Sequence, residues 1–421
     1  MLTTLNQILW IAVSLLIFIT GIVFTIKIKG AQFNLKKMWS YLKEEKTGGI
    51  SPVQTLTLNL AARIGVGSIS GIALAIYIGG PGTIFWMWIT AFIASANTYL
   101  ESIFAVIFHE KDASDVYYGG PSQYIDKGLK NKPLAKLYSL IIMITFLCGF
   151  LTIQSNTITV GITNLISIHP LIIGLVLAII IAIIIMKGIK RIANVTNVLV
   201  PLMGFLYFIL CFIIIIQNIS NLPTIFSLIF KDAFQIKTAG IGILSTFLIG
   251  MQRGIFSNEA GIGTGAITAA TIDTKHPESQ GAIQTLGIYI DTLIVGTLTS
   301  IVIMCSNYQS LNIIDVNGIE IATNAFSNYF GSAGNILMML IIILFAIATI
   351  ITGYYYGESS FKYLKKKVTK KQLTILKLFA ISMIIIGSIL PSTKLWEFND
   401  LLIALLALIN TYALWKLKEK L

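Results

Sequence analysis

Charge is what this chain has least of. Only 11% of its 421 residues are Asp, Glu, Lys or Arg and 56% are apolar, whereas soluble globular chains carry about 25% charged residues. With a mean hydropathy of +0.84, a soluble domain is excluded and a polytopic protein embedded in the lipid bilayer is expected. Cysteine is equally sparse. Cys148, Cys211 and Cys305 lie in or at the ends of apolar runs, at spacings that fit neither a disulfide framework nor a metal site, so they read as packing residues. His109, His169 and His276 stand singly near run ends, which argues against a metal cluster or a His-based proton relay. No nucleophile–base pair or ligand cluster sits at membrane depth, and no loop is long enough for a soluble catalytic domain. The chain is therefore not expected to be an enzyme or to hold a cofactor. The net charge of +12 would point to nucleic acid were it not confined to one set of loops, as counted below.

What the chain has in quantity is apolar stretches of about 20 residues, the length that crosses a bilayer. They fall near 8–27, 54–79, 83–108, 136–163, 171–187, 192–216, 239–271, 280–306, 333–357, 372–390 and 396–415, which predicts an all-α protein of eleven spans. The first run has no positive leader and no small-residue cleavage site, so it reads as a retained helix. If the spans alternate, twenty-five of the thirty Lys and Arg residues fall on one side, Lys231, Lys237 and Lys394 fall on the other, and Arg63 and Arg253 lie within the membrane. Because cytoplasmic loops hold the excess of Lys and Arg, the N-terminus is expected outside and the C-terminus in the cytoplasm of a plasma-membrane protein. Segment 31–47, with Phe33, Leu35, Trp39 and Leu42 among its lysines, suits an amphipathic helix on the inner surface. Segment 217–235 and the stretch near 321–330 read as outer connectors.

Two of the spans are poor lipid-facing helices. Met251–Gly265 contains four glycines with Arg253, Asn258 and Glu259; glycine weakens a helix, and a charge at the bilayer centre costs about 3 kcal/mol on insertion scales. Leu60–Gly71 repeats the pattern near the start, with Arg63, Gly65, Gly67, Ser68 and Gly71. Irregular backbone at membrane depth is tolerated where it lines a cavity, and paired broken helices mark the sites of many secondary transporters. With the first span and its connector set aside (1–50), segments 51–216 and 217–421 form two five-helix units. Each unit opens on a broken helix, and because five is odd the second enters from the opposite face.

The bland readings stand beside these. Gly67 and Gly71 also fit close helix packing. Glu259 could pair with Arg253 or cap freed amides rather than act in transport. Gln154, Ser155 and Asn156 form a polar knot that suits either a ligand or interhelical hydrogen bonds, and Asp291 with Thr292 leans to structure. Thr349 and Thr352 could face a cation or bond back to their own helix. Glu101 reads as part of a gating ion pair.

At these residues the chain resembles the alanine or glycine:cation symporter family over about residues 50 to 360. The runs that carry the likeness are Gly79-Gly-Pro-Gly-Thr-Ile-Phe-Trp-Met-Trp88, Tyr118-Gly-Gly-Pro121, Gln154-Ser-Asn156, Lys190-Arg-Ile192, Arg253-Gly-Ile-Phe-Ser-Asn-Glu-Ala-Gly261, Gln280-Gly281, Asp291-Thr292 and Tyr355-Tyr-Gly-Glu358. The Arg253–Gly261 run is the specific one. The resemblance implies a fold like that of the bacterial leucine transporter. It also implies sodium-coupled uptake of a free neutral amino acid by a single chain, through alternating access. Substrate contacts are expected from Gly65, Val66, Gly67, Ser68, Gln154, Phe256, Ser257, Asn258, Gly261, Thr349 and Gly353. Cation contacts are expected from Arg63, Ile64, Ser68, Thr349 and Thr352, and gating or structural roles from Glu101, Arg253, Glu259 and Asp291. A proton-coupled or sodium-independent carrier, or an amino-acid sensor derived from the fold, is the alternative.

The departures are specific. The family's Gly-Thr-Gly-Asn reads Gly65-Val-Gly-Ser68 here, Arg63 stands where threonine is common, Thr98 stands where a lysine precedes Glu101, and Gly353 replaces a tryptophan. The loss of the indole suggests a larger substrate, such as glutamine. Arg63 would either weaken a cation site or replace the lost lysine as the partner of Glu101, the second being preferred.

Overall fold

A computed structural model describes residues 2–44, 50–112, 115–234, 241–306, 308–310, 318–365 and 367–420. The fold is helical apart from a two-residue hairpin, β1 (Glu110–Lys111) against β2 (Tyr117–Tyr118), with Glu110 opposite Tyr118. The helices are α1 (Leu2–Lys27), α2 (Leu35–Leu42), α3 (Pro52–Arg63), α4 (Ser70–Gly79), α5 (Gly82–Phe108) and α6 (Lys132–Thr163). They are followed by α7 (Pro170–Ile185), α8 (Ile189–Gln217), α9 (Leu222–Phe234), α10 (Ile241–Asn258), α11 (Thr264–Ala269) and α12 (Pro277–Met304). The last four are α13 (Gly318–Phe330), α14 (Ser332–Lys365), α15 (Lys370–Ile389) and α16 (Ser392–Leu417). Among the described residues eight helices are long and apolar enough to cross a membrane, nine if the bent pair α3–α4 counts as one span. The stretch expected at 171–187 yields only the 16 residues of α7, about 24 Å at 1.5 Å per residue, and the stretch at 239–271 is divided between α10 and α11.

The expected breaks are real interruptions. α3 begins on a capping box, with Ser51 and Gln54 exchanging hydrogen bonds and Pro52 at the first turn. It stops at Arg63, and the chain resumes helix at a 64° bend. α6 and α12 run through without a break, but each contains π-helical turns, at Ile144–Phe150 and at Tyr289–Gly296; such bulges often mark functional positions.

Polar residues are buried alongside an apolar core, and the outward faces are largely apolar. α5 buries Asn97, Thr98, Glu101 and Ser102, while α8 turns Val198, Phe205 and Ile216 outward at 61–69% exposure. α1 packs against α5 and α16, closely enough at Gly21 that an added Cβ would lie 2.5 Å from the carbonyl oxygen of Ile93.

The connectors differ in detail from expectation. The amphipathic segment is helical only over α2, because Lys29 and Gly30 adopt left-handed backbone and Ala31–Phe33 forms a separate 3-10 turn; residues 45–49 lie outside the described set. α13 is not a solvated connector. Ile319, Ile321, Ala322, Ala325 and Phe326 are buried, and Gly318 sits directly against the backbone of Ser70. The Gly79–Gly82 turn docks on α9: Gly80 has φ +86°, the amide of Gly82 donates to Asp232 at 2.8 Å, and a Cβ at Gly82 would fall 2.3 Å from the amide of Ala233. Gly82→Val is therefore expected to cost about 1–3 kcal/mol, read as a lower thermal-unfolding midpoint of the purified protein. Gly204→Ala, where an added Cβ meets nothing within 4 Å, should leave the midpoint in place. Equal midpoints for the two variants would contradict this packing.

Candidate functional site

The two breaks meet. Ile64 ends α3 with a non-helical ψ of 72°, Gly65 is extended, and Val66–Ser68 makes one 3-10 turn before α4. Gly65 has a steric reason: a Cβ there would lie 2.5 Å from the hydroxyl of Thr349. With the helix stopped, the amide of Gly65 turns to the carbonyl of Arg63, and the carbonyl of Ala61 instead accepts from Thr349 Oγ1 at 3.1 Å. The second break is built from left-handed backbone at alternate positions, with φ of +54° at Glu259, +79° at Gly261 and +96° at Gly263. The Asn258 side chain caps it by accepting from the amide of Ala260 at 3.0 Å. Gly67 lies 3.3 Å, measured from an added Cβ, from the Phe256 ring, so its smallness serves the contact between the breaks. Gly71, with nothing within 4 Å, has no packing role of that kind.

A carboxylate from a third helix ties them together. Ser68 Oγ donates to Asp291 Oδ1 at 2.6 Å and Ser257 Oγ donates to Asp291 Oδ2 at 2.9 Å. The two hydroxyls stand 3.0 Å apart, and Thr292 adds a third donor to Asp291 Oδ2 at 3.1 Å. Asn258 Nδ2 in turn donates to Thr292 at 3.2 Å. All five side chains are buried. Ser68 Oγ also lies 2.9 Å from the carbonyl of Arg63, so its single proton faces more acceptors than it can serve, an oxygen-rich environment.

Around the bridge runs an aromatic wall. Phe146 stacks on Phe150, Phe150 on Phe256, and Phe256 leans on Trp396 at 5.2 Å between ring centres. Gln154 sits one turn beyond Phe150, buried, with its Oε1 lacking a hydrogen-bond partner among the described residues. Gly353 faces Phe146 and Leu151, each 3.4 Å from an added Cβ. These are ordinary van der Waals contacts, and they place Gly353 beside the aromatic wall. Ser155 and Asn156 serve the bland reading and bond to carbonyls of Ile384, Gly387 and Leu390, joining α6 to α15 and its end. Thr352 bonds back to the carbonyl of Ala348 at 3.0 Å.

The charged residues sort differently from expectation. Arg253 does not pair with Glu259. Its guanidinium is 3.3 Å from Asp400 and packs against the rings of Phe256 and Trp396. Arg63 is fully buried, donates to the carbonyl of Gln284 at 2.7 Å, and lies beside Glu101. A Cβ placed at Gly265 would be 3.0 Å from Arg63 Nη2 and 3.2 Å from Glu101 Oε1. Glu101 Oε2 accepts from Asn410 at 2.8 Å, while Glu259 lies near Thr264 and Arg63. At the C-terminal end of α14, Glu358 accepts from Tyr354 and pairs with Lys362, which also reaches Asp112 at 3.0 Å. Asp400, Asn410 and Trp396 were not singled out from the sequence. The polar residues inside the last apolar run were the available signal, since such residues at membrane depth are functional candidates.

The sodium:alanine symporter family model matches residues 1–421. A probable sodium/glutamine symporter of Bacillus subtilis is 36% identical over 421 residues, covering 98% of this chain and 87% of that protein. An amino-acid carrier protein of the same bacterium is 34% identical over 394 residues, covering 93% and 83%. A sodium/alanine symporter of Methanococcus maripaludis is 32% identical over 427 residues, covering 98% and 93%. A buried polar interior reached by two broken helices, within apolar helices that suit a bilayer, agrees with these likenesses: the chain belongs to the sodium:alanine symporter family and is a multi-pass membrane transporter, not an enzyme.

Proposed function

We propose that this chain is a secondary active symporter that takes up glutamine, or a neutral amino acid near its size, together with sodium by alternating access. The observation that carries the reading is the hydrogen-bonded bridge Ser68–Asp291–Ser257, which draws both helix breaks to one buried point. The N-terminal end of α4 carries a positive partial charge suited to the substrate carboxylate, and the carbonyl ends of α3 and α10 suit its ammonium and a cation. Substrate contacts fall to Gly65–Ser68, Phe256–Asn258 and Gly261. Sodium is assigned to Thr349 with the carbonyls released between Ala61 and Ile64, and Ser68 serves both ligands. Arg63, whose side chain is turned to Gln284 and Glu101, acts as the counter-charge of Glu101 rather than as a cation ligand. Two features favour glutamine over alanine: the unpartnered Oε1 of Gln154, an acceptor for a side-chain amide, and the likeness to a probable sodium/glutamine symporter.

In the same reading α7 and the α10–α11 pair complete eleven crossings with a leucine-transporter-like inverted repeat, 51–216 against 217–421. The N-terminus lies outside, and the chain works as a monomer. Alternating access then requires that sodium bind the substrate-ready arrangement more tightly than the other, since a ligand shifts an equilibrium only by its differential affinity.

Radiolabelled glutamine should accumulate in proteoliposomes under an inward sodium gradient, and unlabelled glutamine should compete better than alanine or glycine. Absence of sodium-driven accumulation of any amino acid would overturn the reading. Thr349→Val is expected to raise the sodium concentration for half-maximal uptake about tenfold, the equivalent of one hydrogen bond of about 1.4 kcal/mol. Asp291→Ala leaves three buried hydroxyls, of Ser68, Ser257 and Thr292, without their shared acceptor and should reduce uptake at least tenfold in protein that still elutes as a folded species. Gln154→Leu should weaken glutamine competition at least fivefold more than alanine competition; an equal loss for both would remove Gln154 from side-chain recognition.

A further inference from the structure

An apolar groove of about 920 Å³ lies between α8 and the pair α3 and α12. Its floor includes Leu60 and Ile64, where the first broken helix stops, and Leu293 from the π-helical turn that carries Asp291. Its wall is α8, where Phe205 and Phe208 are 64% and 41% exposed. Two sequence features of α8 shape that wall. Pro201 interrupts the helix ladder, and Gly204 leaves a gap, since an added Cβ there would meet nothing within 4 Å. The remaining side is the short helix α2, which brings Leu35 and Trp39, 54% and 60% exposed, to the groove.

Cations gather beside α2. Lys36, Lys37 and Lys43 are all exposed, with a single exposed carboxylate, Glu44, following them among the described residues of this segment. Lys36 stands three residues before Trp39 and Lys43 four after it, the spacings at which residues are neighbours on a helical surface. A greasy slot flanked by an interfacial tryptophan and lysines has the layout of an amphiphile with a negative head. Each Lys near an anionic membrane surface contributes about 1 kcal/mol, and the groove, almost without polar groups, offers nothing to a zwitterion, an ion or an extended peptide.

We propose that this groove is a binding site for an anionic diacyl phospholipid, its chains lying along α3, α8 and α12 and its headgroup held by Lys36, Lys37 and Lys43. The lipid packs on the end of α3 and on the turn that positions Asp291, so its occupancy stabilises the arrangement in which the breaks are joined. Anything that binds one conformation preferentially stabilises it by mass action. Bilayer composition thereby acts on transport through Ile64 and Leu293 without touching the substrate. The binding claim stands independently of the transport reading; only the effect on uptake rests on it.

The test uses the full chain equilibrated with phosphatidylglycerol and phosphatidylcholine of identical chains, in equal amounts. Native mass spectrometry of the wild type should show one retained phosphatidylglycerol at several times the abundance of phosphatidylcholine. The triple change Lys36→Ala, Lys37→Ala and Lys43→Ala should equalise the two lipids, and Gly204→Phe, which fills the gap, should lower retention of both. Uptake by the wild type in phosphatidylcholine vesicles should fall at least threefold from its value in vesicles containing phosphatidylglycerol, and the triple variant should not respond to the exchange. Equal retention of the two lipids by the wild type, or an unchanged preference in the triple variant, would overturn the proposal. Should Gly204→Phe fail to fold, the triple variant, altered only at exposed positions, decides alone. Loss of the lipid effect with sodium-driven uptake intact would remove the coupling and leave the proposed transport function standing.

Discussion

A helix that stops inside a bilayer leaves backbone groups with no water to receive them, and each such group costs several kcal/mol unless the protein satisfies it. At the first break Ser68 Oγ lies 2.9 Å from the carbonyl of Arg63, and the Asp291 carboxylate between Ser68 and Ser257 joins the two breaks through one shared acceptor. Thr349 and Asn258 take up the groups released beside them, at the carbonyl of Ala61 and the amide of Ala260. The π-helical turn of α12, the glycines at 65 and 67 and the left-handed residues at 259, 261 and 263 follow from that geometry. They let backbones approach closely enough for short side chains to span the gap.

A second constraint is charge. Arg63, Glu101, Glu259 and Asp291 are all at most 1% exposed, and burying charge is costly unless partners compensate. Compensation is partial. Arg63 lies beside Glu101, and Asn410 holds the other oxygen of that carboxylate. Glu259 shares its surroundings with Thr264 and Arg63. Arg253 and Asp400 form a separate ion pair, packed on the aromatic wall beside the second break.

Much of this could be read before any coordinates. Composition and span length were enough for a polytopic helical protein, because a bilayer admits little else. The positions of the two breaks were visible as glycines and polar residues inside apolar runs. The sequence did not show what each polar residue would meet. The pairing of Glu259 with Arg253 was reasonable by proximity in the chain, yet the left-handed turn at Glu259 separates the two, and α16 delivers Asp400 to Arg253 from 147 residues away. The neighbours of Gly353, Phe146 and Leu151, likewise belong to another helix.

Class, breaks and family were legible in the residues alone, since each depends on local composition or on a contiguous motif such as Arg253–Gly261. Tertiary structure alone decided the partners. Asp291 joins Ser68 and Ser257, Ser155 and Asn156 serve α15 and its end, Arg63 reaches Gln284, and α8 leaves an open groove against α3. The reason is physical: hydrogen bonds and packing are settled by which helix faces come within about 3–4 Å, and no periodicity within one helix specifies the face of another.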